Sequence, residues 1–187
     1  MSDGKKRVCP VERAGCLDNR IRKWLHDPRK ILGPYLKEGM VVLDVGCGPG
    51  FFSVDIARMV GPSGRVIACD LQEGMLQKLG DKIRGTDLEG RITLHRCAEN
   101  RIGWAGTVDF VLAFYLVHEI PDQKAFFSEI HSILGPGGRV FIAEPPFHVS
   151  KRAFDEMIGK AREACFVPAE SPKVRFSRIV VLNKDRT

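Results

Sequence analysis

Two carboxylates bracket a glycine-rich turn. Asp44 stands two residues ahead of Gly46, and Asp70 stands twenty residues after Gly50. The turn reads Gly46-Cys47-Gly48-Pro49-Gly50-Phe51. Glycines admit positive φ and close backbone approach, so a ligand can lie against the main chain there. A helix that starts just after such a turn offers open N–H groups and the positive end of its dipole. A carboxylate ending the next strand can grip a ribose by its hydroxyls, and Asp70 is expected in that role.

Two ligand classes use such a turn. A dinucleotide site wants G-x-G-x-x-G, where the backbone meets a pyrophosphate. Here the spacing is G-x-G-x-G, and Asp44 would repel a pyrophosphate but attract an ammonium. That favours a ligand with a cationic amino-acid end and a ribose. S-adenosylmethionine has both. A nicotinamide-dependent dehydrogenase is disfavoured on the same grounds.

A sulfonium ligand of this kind can give up its methyl group by in-line displacement. That displacement needs positioning and exclusion of water more than a triad or a metal, and no metal ligand set is expected. Phe114, Tyr115, His118 and Glu119 follow the apolar run from Val108 and fall at a strand C-terminus, where open α/β sheets bind ligands. Phe114 is expected to wall the adenosyl group. His118 and Tyr115 are the candidate catalytic residues, His118 as a base or as the group that orients a substrate oxygen. The alternatives are a histidine capping the sheet edge and a core tyrosine. Glu119 reads as a solvated charge. Glu144 and His148, and on the N-terminal side Trp24 and Tyr35, are candidate substrate contacts; for Trp24 and Tyr35 the alternative is core packing.

The elements that must position these groups alternate. Strands are expected at 41–45, 65–70, 92–97, 108–114 and 139–144, and helices at 51–60, 74–84 and 123–134. Strands alternating with helices argue for a parallel sheet with helices on both faces. A helix over 149–165 and two antiparallel strands, 166–169 and 175–183, close the chain. Before the first strand, Leu17, Ile21, Trp24, Leu25, Ile31, Leu32, Tyr35 and Leu36 form a helical stripe. Asp27-Pro28 breaks it into a helix at 18–26 and a second from 28. Residues 1–39 are thus expected as a basic helical arm or lid, and residues 40–187 as the catalytic domain.

With these motifs in hand, residues 28–184 resemble class I S-adenosylmethionine-dependent methyltransferases of the small-molecule type related to quinone-biosynthesis methylases. Val42–Gly50 matches the first motif and Asp70 the acidic end of the second strand. Asp109–His118 and Leu134–Val140 match the segments around strands four and five. The resemblance implies a Rossmann-like α/β fold with a seven-stranded sheet in the order 3-2-1-4-5-7-6, strand 7 antiparallel. It implies S-adenosylmethionine as cofactor, with S-adenosylhomocysteine as product. Asp44, Gly46, Cys47, Gly48 and Gly50 would face it, with Asp70 and Leu71. Cys97, Ala98 and Glu99 would flank the adenine beside Phe114. Two departures stand out: Cys97 replaces the usual Asp, and Cys165 replaces the usual Gly.

The 187 residues carry 44% apolar and 28% charged side chains, which excludes a disordered or collagen-like chain. No apolar run is long enough for a membrane span and no secretory signal is seen, so a cytoplasmic location is expected. The net charge of +6 would suit nucleic acid if it were uniform. It is not. Residues 1–39 hold ten Lys/Arg against five Asp/Glu, residues 40–147 ten against thirteen, and residues 148–187 nine against five. The basic flanks suit an anionic or membrane-associated small acceptor. The alternative is an RNA methyltransferase or RNA-binding module using Lys5, Lys6, Arg7, Arg13, Arg20, Arg22, Lys23, Arg29 and Lys30. The six cysteines form no CxxC pair and are expected as free thiols.

Overall fold

From Val41 onward the chain folds as its apolar runs and glycine turns dictate. The computed structural model describes residues 25–185. Asp27 caps α1 (Pro28–Leu32), its carboxylate accepting the Arg29 N–H at 3.1 Å. There follow β1 (Val41–Val45), α2 (Ser53–Met59), β2 (Arg65–Asp70), α3 (Glu73–Ile83), β3 (Ile92–Arg96) and β4 (Val108–Phe114). After a 3-10 turn, Val117–Glu119, come α4 (Gln123–Ile133), β5 (Leu134–Glu144), α5 (Lys151–Glu163), β6 (Phe166–Glu170) and β7 (Arg178–Lys184).

The sheet order is β3-β2-β1-β4-β5-β7-β6, with β7 antiparallel to both its neighbours. Order and orientation are those expected. Alternate residues of the central strands feed two cores. Val42, Phe110, Leu112 and Phe114 face one layer, while Leu43, Val45, Val111 and Ala113 face the other. Burial on both faces is why β1 and β4 read as nearly unbroken apolar runs.

Several boundaries differ from expectation, each for a local reason. Phe51 and Phe52 form a turn, so α2 starts at Ser53. β5 starts at Leu134, which pairs with Val108. The register then shifts before Arg139 pairs with Phe110. Ser150 caps α5 by accepting the Ala153 N–H at 3.1 Å. Past its C-terminus Cys165 takes φ 60, the left-handed conformation that glycine adopts without strain. β6 carries Pro168 and a register shift between Pro168 and Glu170.

The helix expected over 18–26 lies almost wholly outside the described residues, as do Trp24, Cys9 and Cys16. Of the basic side chains considered for RNA, Arg29 and Lys30 are described, and both face carboxylates. Arg29 lies 3.8 Å from Asp55 and Lys30 4.0 Å from Asp27. No helix among the described residues is long and apolar enough to cross a membrane.

Candidate active site

The glycine turn is held from both ends. Gly46, Gly48 and Gly50 have φ of 71, 54 and 82. The N–H groups of Gly46 and Cys47 both donate to the Cys69 carbonyl, at 2.8 and 3.0 Å, tying the turn to β2. At this φ a side chain on Gly46 would be strained, and its Cβ would also stand 2.8 Å from Leu116 Cδ1. Asp70 closes the turn from the other side. Its Oδ2 accepts the Gly48 N–H at 2.9 Å and its Oδ1 the Gln72 N–H at 2.8 Å. Each oxygen keeps a second lone pair for a ligand hydroxyl. Burial pushes the Asp70 carboxyl above its usual range, and the neighbouring backbone N–H groups of Gln72, Gly48 and Leu71 oppose that rise. Asp44, buried at the end of β1, accepts a 2.6 Å bond from the Ser53 hydroxyl at the start of α2.

A cavity of about 520 Å3 opens over this turn, within the range of roughly 300–1,000 Å3 usual for small-molecule sites. Its floor is the turn, flanked by Asp44 and Asp70. Leu71, Ala98, Ile102 and Phe126 make an apolar side beyond Asp70. Phe51, Phe52, Phe114 and Tyr115 make an aromatic end, with Phe52–Phe114 and Phe114–Tyr115 centroids 4.5 Å apart. Acidic groups outnumber basic ones in the wall: Asp44, Asp70, Glu99, Glu119, Asp122 and Glu129, against Arg101 and His26. A ligand with a positive sulfonium and ammonium, a ribose and a flat base matches this distribution.

Ten of the expected cofactor residues line the cavity: Asp44, Gly46, Cys47, Gly48, Asp70 and Leu71, with Cys97, Ala98, Glu99 and Phe114. Gly50 does not; a Cβ there would meet Leu79 Cδ1 at 2.3 Å, so its part is to let α3 pack under the turn. Burial pushes the Cys47 thiol well up. The Cys69 thiol, behind the wall, and the Cys97 thiol interact, which raises Cys69 and lowers Cys97.

The expected substrate contacts fare differently. Tyr35 packs on Phe110 and Phe141 and bonds Glu170 through its hydroxyl at 3.1 Å. It lies in the core layer and lines a separate, shallower cavity of about 270 Å3. Glu144 is wholly buried. It takes the His118 ring Nδ1 at 2.5 Å and the His118 backbone N–H at 3.2 Å. Glu144 thus clamps the Val117–Glu119 turn, and neither it nor His118 is part of the cavity wall. His148 is exposed, its ring stacked 6.3 Å from that of His118.

Tyr115 does reach the wall. Its φ of 61 breaks the strand alternation, and its hydroxyl donates to the Phe176 carbonyl at 2.8 Å. Among the wall residues, His26 escapes sequence reasoning, and Glu119 departs from its reading as a solvated charge. His26 lies under Phe114 and Tyr115 and within 3.2 Å of the Tyr115 hydroxyl. Glu119 is half-buried in the wall, and burial pushes its carboxyl up while neighbouring His118 opposes the rise. Only its place after the fourth strand signals Glu119. Nothing local signals His26.

A glycine turn between two carboxylates, at the C-terminal edge of a sheet in this order, is the arrangement of class I S-adenosylmethionine-dependent methyltransferases. A model of the methyltransferase domain matches residues 42–138, and the chain belongs to that family. The demethylmenaquinone methyltransferase of Lactobacillus johnsonii is 34% identical over 110 residues, which is 58% of this chain and 45% of that protein. The ubiquinone/menaquinone biosynthesis C-methyltransferase UbiE of Geobacter sulfurreducens is 33% identical over 124 residues, 66% of this chain and 48% of that protein. The chain thus spans about half the length of these relatives. An S-adenosylmethionine-dependent methyltransferase from Aquifex aeolicus superposes with a TM-score of 0.86 at 28% identity, covering 95% of this chain and all of that one.

Proposed function

We propose that this chain transfers a methyl group from S-adenosylmethionine to a small, flat, apolar acceptor of quinol type. The observation that carries the reading is the cavity itself, with its acidic glycine-turn floor and its aromatic end. The similarity to quinone-biosynthesis methylases supports the acceptor class.

Bound S-adenosylmethionine supplies a methyl group on a sulfonium, which departs as a neutral thioether. Asp44, oriented by Ser53, would hold the ammonium, and Asp70 the ribose hydroxyls. Leu71, Ala98, Ile102 and Phe126 would enclose the adenine, and Glu99 is the carboxylate nearest in sequence that can take its amino group. Phe52 and Tyr115 would stack the acceptor and keep water from it, with Phe114 between them as the wall toward the adenosyl group; this is most of what an in-line displacement requires. The acceptor forms its bond to the methyl carbon and gives up one proton. Glu119 is the wall carboxylate best suited to take that proton, because its raised pKa brings it closer to working pH. His118 acts behind it, holding the turn through Glu144.

The test offers tritiated S-adenosylmethionine together with a reduced naphthoquinone lacking the ring methyl, and separately with total RNA. Label is expected in the naphthoquinol. Label in RNA alone would replace this reading with the RNA-directed one.

A further inference from the structure

Phe147 and Phe176 are conspicuous on the surface. Phe147 is 80% exposed and Phe176 46%. Their rings lie 6.3 Å apart although they come from different loops, one after β5 and one before β7. Phe176 is held at φ 58, a conformation ordinary side chains avoid. The bond from the Tyr115 hydroxyl to its carbonyl and the 3.2 Å bond from Ser177 N–H to the Val174 carbonyl secure it there. Two large apolar rings left in water, that of Phe176 by a strained backbone, call for a partner.

The charge around the pair indicates which partner. Residues 171–178 carry Lys173, Arg175 and Arg178 and no carboxylate. Lys173 and Arg175 are exposed, and the Arg175 guanidinium lies 5.2 Å over the Phe176 ring. Arg178 reaches across to the Val149 carbonyl at 3.3 Å, joining the two loops. Lys151 and Arg152, at the start of α5, are paired with Asp155 and Glu156 and add little net charge. Exposed aromatic rings with basic residues on the same loop suit the headgroup boundary of an anionic bilayer, where rings enter and cations stay at the phosphates. A nucleic acid would need open ring faces for stacking. Here Arg175 covers one face of Phe176, which leaves Phe147 as the one fully open ring of the pair.

We propose that this face, centred on Phe147 and Phe176 with Lys173 and Arg175, docks on an anionic lipid surface. The Tyr115 hydroxyl ties the same loop to the aromatic end of the cavity, so docking sets that end beside the lipid. An acceptor dissolved in the bilayer would then reach the site without crossing water. That purpose rests on the methyl-transfer reading; the docking does not.

The full chain is sedimented with phosphatidylglycerol–phosphatidylcholine vesicles and with phosphatidylcholine vesicles alone. Binding to the first only is expected, weakening as salt rises. Phe147→Glu and Lys173→Glu should each weaken it about fivefold or more, since one basic residue near an anionic surface contributes about that factor. Both side chains are exposed, so thermal unfolding and S-adenosylhomocysteine affinity should not change. Three results would overturn the docking: no vesicle binding while S-adenosylhomocysteine still binds; vesicle binding untouched by Phe147→Glu but lost when Lys5, Lys6 and Arg7 become Gln; or a dimer that Phe147→Glu dissociates with no vesicle binding at all.

Discussion

Replacing Asp70 by Asn separates binding from stability. The carboxylate now accepts two backbone N–H groups, Gly48 at 2.9 Å and Gln72 at 2.8 Å, one on each oxygen. An asparagine has one oxygen, so whichever way its amide turns, one buried N–H loses its acceptor. That costs about 1–3 kcal/mol of stability. The substitution also removes a buried charge, and the raised Asp70 pKa means that this charge is disfavoured in the fold. The two effects oppose each other, so the stability loss should stay below about 3 kcal/mol. Binding has no such offset. A ribose hydroxyl loses a charge-assisted bond of about 1.5–3 kcal/mol, which weakens the cofactor about ten- to hundredfold. Titration calorimetry with S-adenosylhomocysteine reads the affinity, and denaturant melts read the stability. A carboxyl with a raised folded pKa binds its proton more readily in the native state. Wild type should therefore gain stability as pH falls from that raised value toward the ordinary value of about 3.9, and the variant should lack this gain. An S-adenosylhomocysteine affinity within about twofold of wild type would refute the ribose assignment, since one ionic hydrogen bond is worth more than that.

Cys165→Gly should stabilise the chain with activity unchanged, because φ 60 costs a side chain about 1–2 kcal/mol and glycine's added unfolded freedom returns about 0.5–1. A Tm higher by about 2 °C in calorimetry is expected. Glu119 acts as a base only when ionised, and its pKa is raised. The kcat/KM profile should therefore fall on the acid side at a pH above the ordinary carboxylate range, and Glu119→Gln should lose that limb along with about a hundredfold or more in rate. A limb that persists in the variant would remove Glu119 from the proton path.

The fold was legible because its grammar is local. Local signals bound many of the elements, such as Gly46 after β1, Asp122 before α4 and Ser150 before α5, and the strand order follows the family resemblance carried by the motifs. The cofactor half of the site was legible for the same reason: Asp44, Gly46, Gly48 and Asp70 sit at strand ends, where the direction of a side chain follows from the strand. The acceptor half was less so. After Phe114 the positive φ of Tyr115 resets which way each residue faces, and the 3-10 turn then puts Glu119 into the wall and His118 onto Glu144 behind it. No period in the sequence announces such a reversal. Tyr35 sits on a true apolar stripe, but the stripe meets the sheet face under Phe110 and Phe141 rather than the cavity. His26 is brought to Phe114 by tertiary packing alone.

The sheet order leaves β3 and β6 as its two rims, and the irregularity in β6 protects one of them. An open strand edge is a template on which another chain can polymerise. β6 offers a poor one. It has five residues, Pro168 in the middle withholds a donor, and the register shift before Glu170 bends the line of acceptors. Glu170 itself is engaged by Arg139 at 3.3 Å and by Tyr35. Val167, exposed on the same rim, would otherwise be an adhesive point. Smoothing this edge, for instance by Pro168→Val, would be expected to leave the cofactor turn intact and yet lower the concentration at which the protein stays in solution.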